Sequence, residues 1–412
     1  MERSTILFGA CDRHNFGDLL FPHIAAALLP DAHLVTAGLA SRDLRPYGGH
    51  EVRALAQLVA ERGQRPSALI HVGGEILTCS AWQAAVMLAP PEQVQHTIAY
   101  LDARPQAKTQ WVRSMVGSSA LAPYTLSRQR FPCVTRVIYN AVGGVALTGS
   151  DPALRAEVLA NLTAADDVSV RDSQTLAQLA GAGIQARLVP DPAVMVAELF
   201  GARIGQRAQD GGVARILSAF PQGYLAVQFS ADFGDDATLT HIATQLDHAA
   251  GASGYGVVFF RAGAAPWHDD LDGFQRVAAR MRSPSVRVFE SLDVWDICAL
   301  IANSRGYCGS SLHGRIVAMA FALPRINVRH PASTGQPGKQ DAFAATWDDA
   351  GTPGTVDVGG IAEGIRQALA LDPESLERTA SRLVAQYRQG FAVVRAGLRL
   401  PGSGPRGLDL PA

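Results

Sequence analysis

Four polar residues stand at the mouth of an oily helix in the run "CGSSLHGRIVAMAFALPRINV", Cys308 to Val328. Ser310 and Ser311 offer hydroxyls, His313 can carry a proton, and Arg315 adds a fixed positive charge. The run follows a strand-like segment and a glycine, so the first helical turn presents free backbone N–H groups. Such a turn attracts phosphate or carboxylate. A plain N-cap would account for the serines, but not for an imidazole placed among donors rather than on the apolar face.

Other short stretches carry weaker chemistry. In "RHNFGDLLFPHIAAALL" a polar loop leads to Gly17 and Asp18, with Asn15 just before them. Either an anion approaches that helix start, or Asn15 or Asp18 simply caps it. In "HVGGEIL" the pair Gly73-Gly74 ends a strand, where a ligand could approach bare backbone or the chain could merely turn tightly. Glu75 is then a base or a solvated loop carboxylate. "DVSVRDSQTLAQL" places Arg171 and Asp172 at a strand's mouth. Arg171 offers a planar guanidinium for carboxylate or phosphate, or a salt bridge to Asp172, which could equally cap the next helix. In "LVPDPAV" two prolines fix the direction of Asp191, which suits a structural turn. "FRAGAAPWHDDLDGF" collects Arg261, His268, Asp269 and Asp270, which read as a solvated loop.

Some classes are excluded. No GxGxxG fingerprint supports a dinucleotide, and the five scattered cysteines form no zinc-like ladder, so no metal and no cofactor is expected. A net charge of -1 gives no basic field for nucleic acid. No apolar stretch is long enough to span a membrane. The expected location is cytoplasmic, with membrane contact only through a partner or a lipid-linked substrate.

The elements that must position these residues are strands alternating with helices, the mark of parallel sheets wrapped by helices. The 412 residues suffice for two domains with separate cores. Residues 1–205 read as one Rossmann-like domain, with a helix around "VRALAQLVAERG" and an inserted lid or side layer at about 78–136. "GARIGQRAQDGGVARILSAFPQG" reads as a glycine-rich linker. Residues 206–400 read as a second Rossmann-like domain whose last helix can cross back, and 401–412 as a flexible tail. The fold class is α/β, two Rossmann-like domains facing a cleft.

Taken in order, "NFGD", "GGE", "VSVRDSQTLAQL", "PDPAV" and "LIANSRGYCGSSLHGRIVAMAFALPRI" resemble the polysaccharide pyruvyl transferase family over most of the chain. The resemblance implies a glycosyltransferase-B-type pair of domains without metal dependence. It also implies transfer of the enolpyruvyl carbons of phosphoenolpyruvate onto two sugar hydroxyls as a ketal, with release of phosphate. It points to Asp18, Arg171 and His313, with Asn15 and Gly17 shaping the first loop. His313 would be acid or phosphate ligand and Asp18 base, though swapped roles fit equally. The sugar belongs to a surface glycan or its precursor. Two departures stand out: Ser311 replaces an arginine common two residues before the histidine, and Glu75 replaces a third glycine. Rival readings are a nucleotide-sugar glycosyltransferase of the same architecture, for which Glu290 or Asp293 would hold ribose, and a non-catalytic sugar-binding relative.

Overall fold

The computed structural model describes residues 4–61, 68–129, 131, 134–333 and 338–398. The expected tail, 401–412, lies outside them. Eight strands form the first sheet: β1 (Thr5–Phe8), β2 (Leu34–Gly38), β3 (Arg42–Asp43), β4 (Glu51–Ala54), β5 (Ala68–His71), β6 (Val137–Val142), β7 (Asp167–Val170) and β8 (Arg187–Leu188). Six form the second: β9 (Tyr224–Gln228), β10 (Gly256–Phe260), β11 (Val286–Phe289), β12 (Gly306–Gly309), β13 (Arg325–Val328) and β14 (Thr355–Val356). Pairing is parallel throughout, except between β3 and β4. Strands such as "ALIH", "VIYNAV" and "YLAVQ" are buried at every residue, as expected where helices cover both faces.

Sheet order locates the site. The first sheet runs β3-β4-β2-β1-β5-β6-β7-β8, so the chain starts at β1, moves out to one side, then resumes at β5 on the other. The second runs β11-β10-β9-β12-β13-β14, with the same reversal between β9 and β12. Loops leaving adjacent strands in opposite directions open a crevice at the strands' carboxyl ends. The "NFGD" and "GGE" loops leave β1 and β5, and the "CGSS" loop leaves β12. The two crevices face each other.

Three expectations change. The glycine-rich stretch is two helices, Val196–Arg207 and Gly211–Ala219, broken at Gly211 with φ +69°. Val196, Ile204, Val213 and Ile216 bury one face, and Gly201 and Gly205 sit in open space. "VRALAQLVAERG" begins as strand β4, because Val52 and Ala54 alternate inward beside β2, and only Leu55–Ala60 is helical. The domains also share a core: one apolar cluster joins Leu20, Ile24 and Ile138 to Ala226, Val258 and Ile316.

The final helix, Pro373–Gly397, lies against the first domain. Asn140 Nδ2 donates to the Tyr387 hydroxyl (3.0 Å), and Arg187 Nη1 donates to the Gly390 carbonyl (3.1 Å). A side chain at Gly390 would strike Val189 at 2.6 Å. Segment 78–136 contributes three helices, Ala81–Leu88, Pro91–Asp102 and Pro105–Val116, then a loop that buries Tyr124 beside β1.

Candidate active site

On the first domain's side, Asn15 Oδ1 accepts from Gly17 N (3.2 Å) and caps the helix Phe16–Leu28. Gly17 is glycine for a packing reason: any Cβ there would fall inside the His313 ring. The loop also touches the second domain, since Phe16 N donates to the Ala262 carbonyl (2.9 Å). Asp18, one residue further, is buried on the cleft wall. Gly73 and Gly74 have φ +132° and +91°, a backbone region that favours glycine. They turn the chain close beside the helix; a Cβ on Gly74 would lie 3.2 Å from Asp18 Oδ1. Asn15 and Asp18 line the cleft, whereas Gly17, Gly73 and Gly74 shape it from behind.

Arg171 extends from β7 into a buried charge cluster. Its Nη1 donates to Asp191 Oδ2 (2.9 Å) and its Nη2 to Glu75 Oε2 (2.6 Å). Glu75 is therefore an ion-pair partner, with Oε1 accepting from Val145 N (2.9 Å), and not a solvated carboxylate. Asp172 does not pair with Arg171; it caps the helix Ser173–Gly181 through Thr175 N (2.7 Å). Asp191 makes its turn, accepting from Ala193 N (2.9 Å), and also reaches His313 Nε2 at 3.6 Å. Burial pushes the Asp191 carboxyl up, but His313 and Arg171 outweigh it and leave it below the ordinary range. His313 is more enclosed than a helix entrance suggests, with the Phe21 ring edge-on at 5.2 Å and the Phe16 ring at 6.5 Å. Asp191 places a negative charge near that ring but beyond hydrogen-bond reach, leaving Nε2 buried without a hydrogen-bond partner among the described residues.

On the second domain's side, Ser311 caps the helix Leu312–Ala320, its Oγ accepting from Gly314 N (3.2 Å). Ser311 N donates to Gln228 Oε1 (2.8 Å), and Ser310 Oγ accepts from Ser230 N (3.0 Å). Both serine oxygens thus work for the fold, and both residues line the cleft. Arg315 must be removed from the site. It is fully buried and bound to Asp348, which Arg325 shares at 2.7 Å. Residues two apart on a helix do not share a face, so Arg315 points away from His313.

The walls enclose about 520 Å³, within the usual span for small-ligand sites of ~300–1,000 Å³. Three residues that were missed or misread meet there. Lys339 opens the helix Lys339–Trp347, and among the described residues no carboxylate lies within ion-pair distance of it. Lys339 is exposed at the mouth of the cleft, with Glu75, Asp18 and Asp269 near enough to favour its charged form. The sequence did hold a signal, because a cation at a helix N-terminus opposes the macrodipole. Asp269, read as solvated, accepts from Gln228 Nε2 (2.8 Å) and Ala262 N (2.5 Å), and burial still pushes its carboxyl up to about 7. Arg13 lines the cleft with Nη1 donating to the Tyr124 hydroxyl (2.6 Å) and Asp12 at 3.8 Å. Among the described residues, no group of three or more His, Cys, Asp or Glu is placed to hold a metal ion.

Two largely parallel sheets with facing crevices define a glycosyltransferase-B-type α/β fold. Solved structures agree at the level of fold. UDP-GlcNAc 2-epimerase from Neisseria meningitidis bound to UDP-GlcNAc is similar with TM-score 0.54 and 12% identity, covering 97% of this chain and 100% of that one. UDP-N-acetylglucosamine 2-epimerase from Rickettsia bellii gives TM-score 0.55 and 10% identity, with 97% of each chain covered. An α,α-trehalose-phosphate synthase from Burkholderia vietnamiensis gives TM-score 0.50 and 12% identity, again with 97% of each covered. No curated protein matches the sequence. Residues 15–331 match the family model for polysaccharide pyruvyl transferase, so the chain belongs to that family of transferases. No helix among the described residues is long and apolar enough to cross a membrane.

Proposed function

We propose that the protein transfers the enolpyruvyl carbons of phosphoenolpyruvate to two hydroxyls of one sugar, forming a ketal and releasing phosphate. The observation that carries this reading is the balance of charge in the cleft. The wall cation Arg171 is held by Glu75 and Asp191, and Arg329 by Asp341, whereas Lys339 is unpaired among the described residues. An unpaired ammonium on the same cleft as an imidazole suits a small, highly charged anion. Leu312 and His313 start the facing helix, where backbone N–H groups add to that attraction.

The chemistry balances. His313 delivers a proton to the vinyl carbon, C2 becomes electrophilic, and a first sugar hydroxyl adds as a carboxylate removes its proton. The C2–O bond to phosphate then breaks, and the second hydroxyl closes the ketal as its proton leaves. Asp18 and Asp269 are the carboxylates on the two walls suited to take those protons. No cofactor is invoked, since phosphoenolpyruvate is itself the co-substrate. The acceptor is a sugar of a surface glycan or its lipid-linked precursor, handled on the cytoplasmic side.

Calorimetric titration of the intact protein tests the donor. Phosphoenolpyruvate should bind alone, and inorganic phosphate should compete with it. Binding of a UDP-sugar with none of phosphoenolpyruvate would replace this reading with nucleotide-sugar transfer.

A further inference from the structure

We propose that Trp267 and Asp269 form the acceptor subsite of this cleft, a neutral sugar ring lying on the indole while a hydroxyl donates to the Asp269 carboxylate. The proposal rests on the transfer to a sugar set out above, and independently on how the loop after β10 is built. His268 N donates to the Ala265 carbonyl (3.1 Å), closing a four-residue turn. Pro266 takes its second position and Trp267 its third, with φ +65°. That third position, when φ is positive, is where glycine is favoured, because a Cβ crowds the neighbouring carbonyl. Here it carries the bulkiest side chain available.

The turn cannot easily relax. Ala231 N donates to the His268 carbonyl (2.8 Å), Asp269 N donates to the Gly263 carbonyl (3.2 Å), and a Cβ on Gly263 would meet the His268 ring at 2.9 Å. Nor does the indole reward the strain by packing, for Trp267 is 43% exposed on the cleft wall. A strained backbone that holds an apolar plate in solvent at a cleft has its use in what binds there. The flat face of an indole matches the C–H face of a pyranose, and such a ring carries hydroxyls at its edge.

Asp269 supplies the matching polar contact two residues later. Its oxygens accept from Gln228 Nε2 (2.8 Å), Ala262 N (2.5 Å) and Gly263 N (3.4 Å). A carboxylate has roughly four lone-pair sites, so one remains for a ligand hydroxyl. Its carboxyl, at about 7, suits it to take that hydroxyl's proton near neutral pH.

The test uses the intact protein and three variants, Trp267→Gly, Trp267→Phe and Asp269→Asn, on a printed array of neutral oligosaccharides. Phosphoenolpyruvate titration and thermal melting run in parallel. Wild type should retain a subset of glycans; Trp267→Phe should keep that subset, and Trp267→Gly should lose at least tenfold. Phosphoenolpyruvate affinity should not change in either tryptophan variant. Trp267→Gly should melt no lower than wild type, because glycine relieves the turn. Asp269→Asn should keep glycan retention within a few-fold and lose transfer. Glycan retention by Trp267→Gly equal to wild type, no glycan held by wild type, or a lower melting temperature for Trp267→Gly would each overturn the subsite. If wild type binds glycan through Trp267 but not phosphoenolpyruvate, the donor reading fails and the subsite stands.

Discussion

His313 and Lys339 divide the donor's needs between a proton and a fixed charge. His313 is packed between two phenylalanine rings, so truncation to alanine would confound chemistry with a cavity. His313→Gln keeps most of the volume. It should lower kcat by roughly 10²–10⁴-fold, the usual worth of a positioned acid, while circular dichroism stays native; unaltered turnover would remove the acid. Lys339→Met keeps the stem and removes the charge. Loss of a charge-assisted contact is worth about 1.5–3 kcal/mol, so titration should show at least a tenfold higher Kd for phosphoenolpyruvate, and an unchanged Kd would remove the ligand. His313 was legible in the sequence because it stands among donors at a helix start. Asp269 was not, and Lys339 only in part, as a cation opposing a helix dipole, because only the fold brings a polar loop and a second helix onto the same cleft. Arg315 is close to His313 along the chain but not in space, since residues two apart on a helix face different ways and Arg315 is buried on Asp348.

The elements meet through glycines placed where backbones approach. The helix Phe16–Leu28 and the helix Leu312–Ala320 come together at Gly17, with the His313 ring in the gap. Gly17→Ala should therefore force the helices apart, at the cost of overpacking, about 1–3 kcal/mol. Melting temperature and kcat should both drop; a variant with wild-type values would mean that the interface is loose. The strand–helix alternation was readable because buried parallel strands are unbroken apolar runs. The edge strand β3 and its neighbour β4 are hard to see in the sequence, since both are short and carry no such run. The two helices at 196–219 were hidden by their glycines, of which Gly201 and Gly205 face open space and so cost only helix propensity.

Over the whole molecule, the shared apolar cluster and the returning C-terminal helix tie the domains into one unit, so large opening motions are not the default. Neutral histidines, His71 buried and His23, His50 and His268 half-buried, set its response to acid. Burial lowers His23 to about 4 and His50, His71 and His268 to about 3. Their unfolded value is ~6.5, so the unfolded chain binds more protons below that pH. The stability they give is present above pH ~6.5 and is lost as pH falls toward their folded values. Each contributes a loss of about 1.4 kcal/mol per pH unit in that window. Asp269 runs the other way, its contribution fading as pH rises through about 7, as do the raised carboxyls of Asp12 and Asp172, but the lowered imidazoles, with His14 among them, outnumber these. Melting temperature should fall steadily from pH 6.5 to 4.5, and a flat profile would contradict the burial of these rings. The central claim is ketal transfer from phosphoenolpyruvate, and proton NMR of the product mixture tests it most directly. Incubation with phosphoenolpyruvate and a panel of sugar acceptors should release phosphate only when an acceptor is present, with a new methyl singlet on the sugar. Both signals should vanish in His313→Gln. Transfer of a hexose from a UDP-sugar under the same conditions, with no methyl signal from phosphoenolpyruvate, would contradict the account.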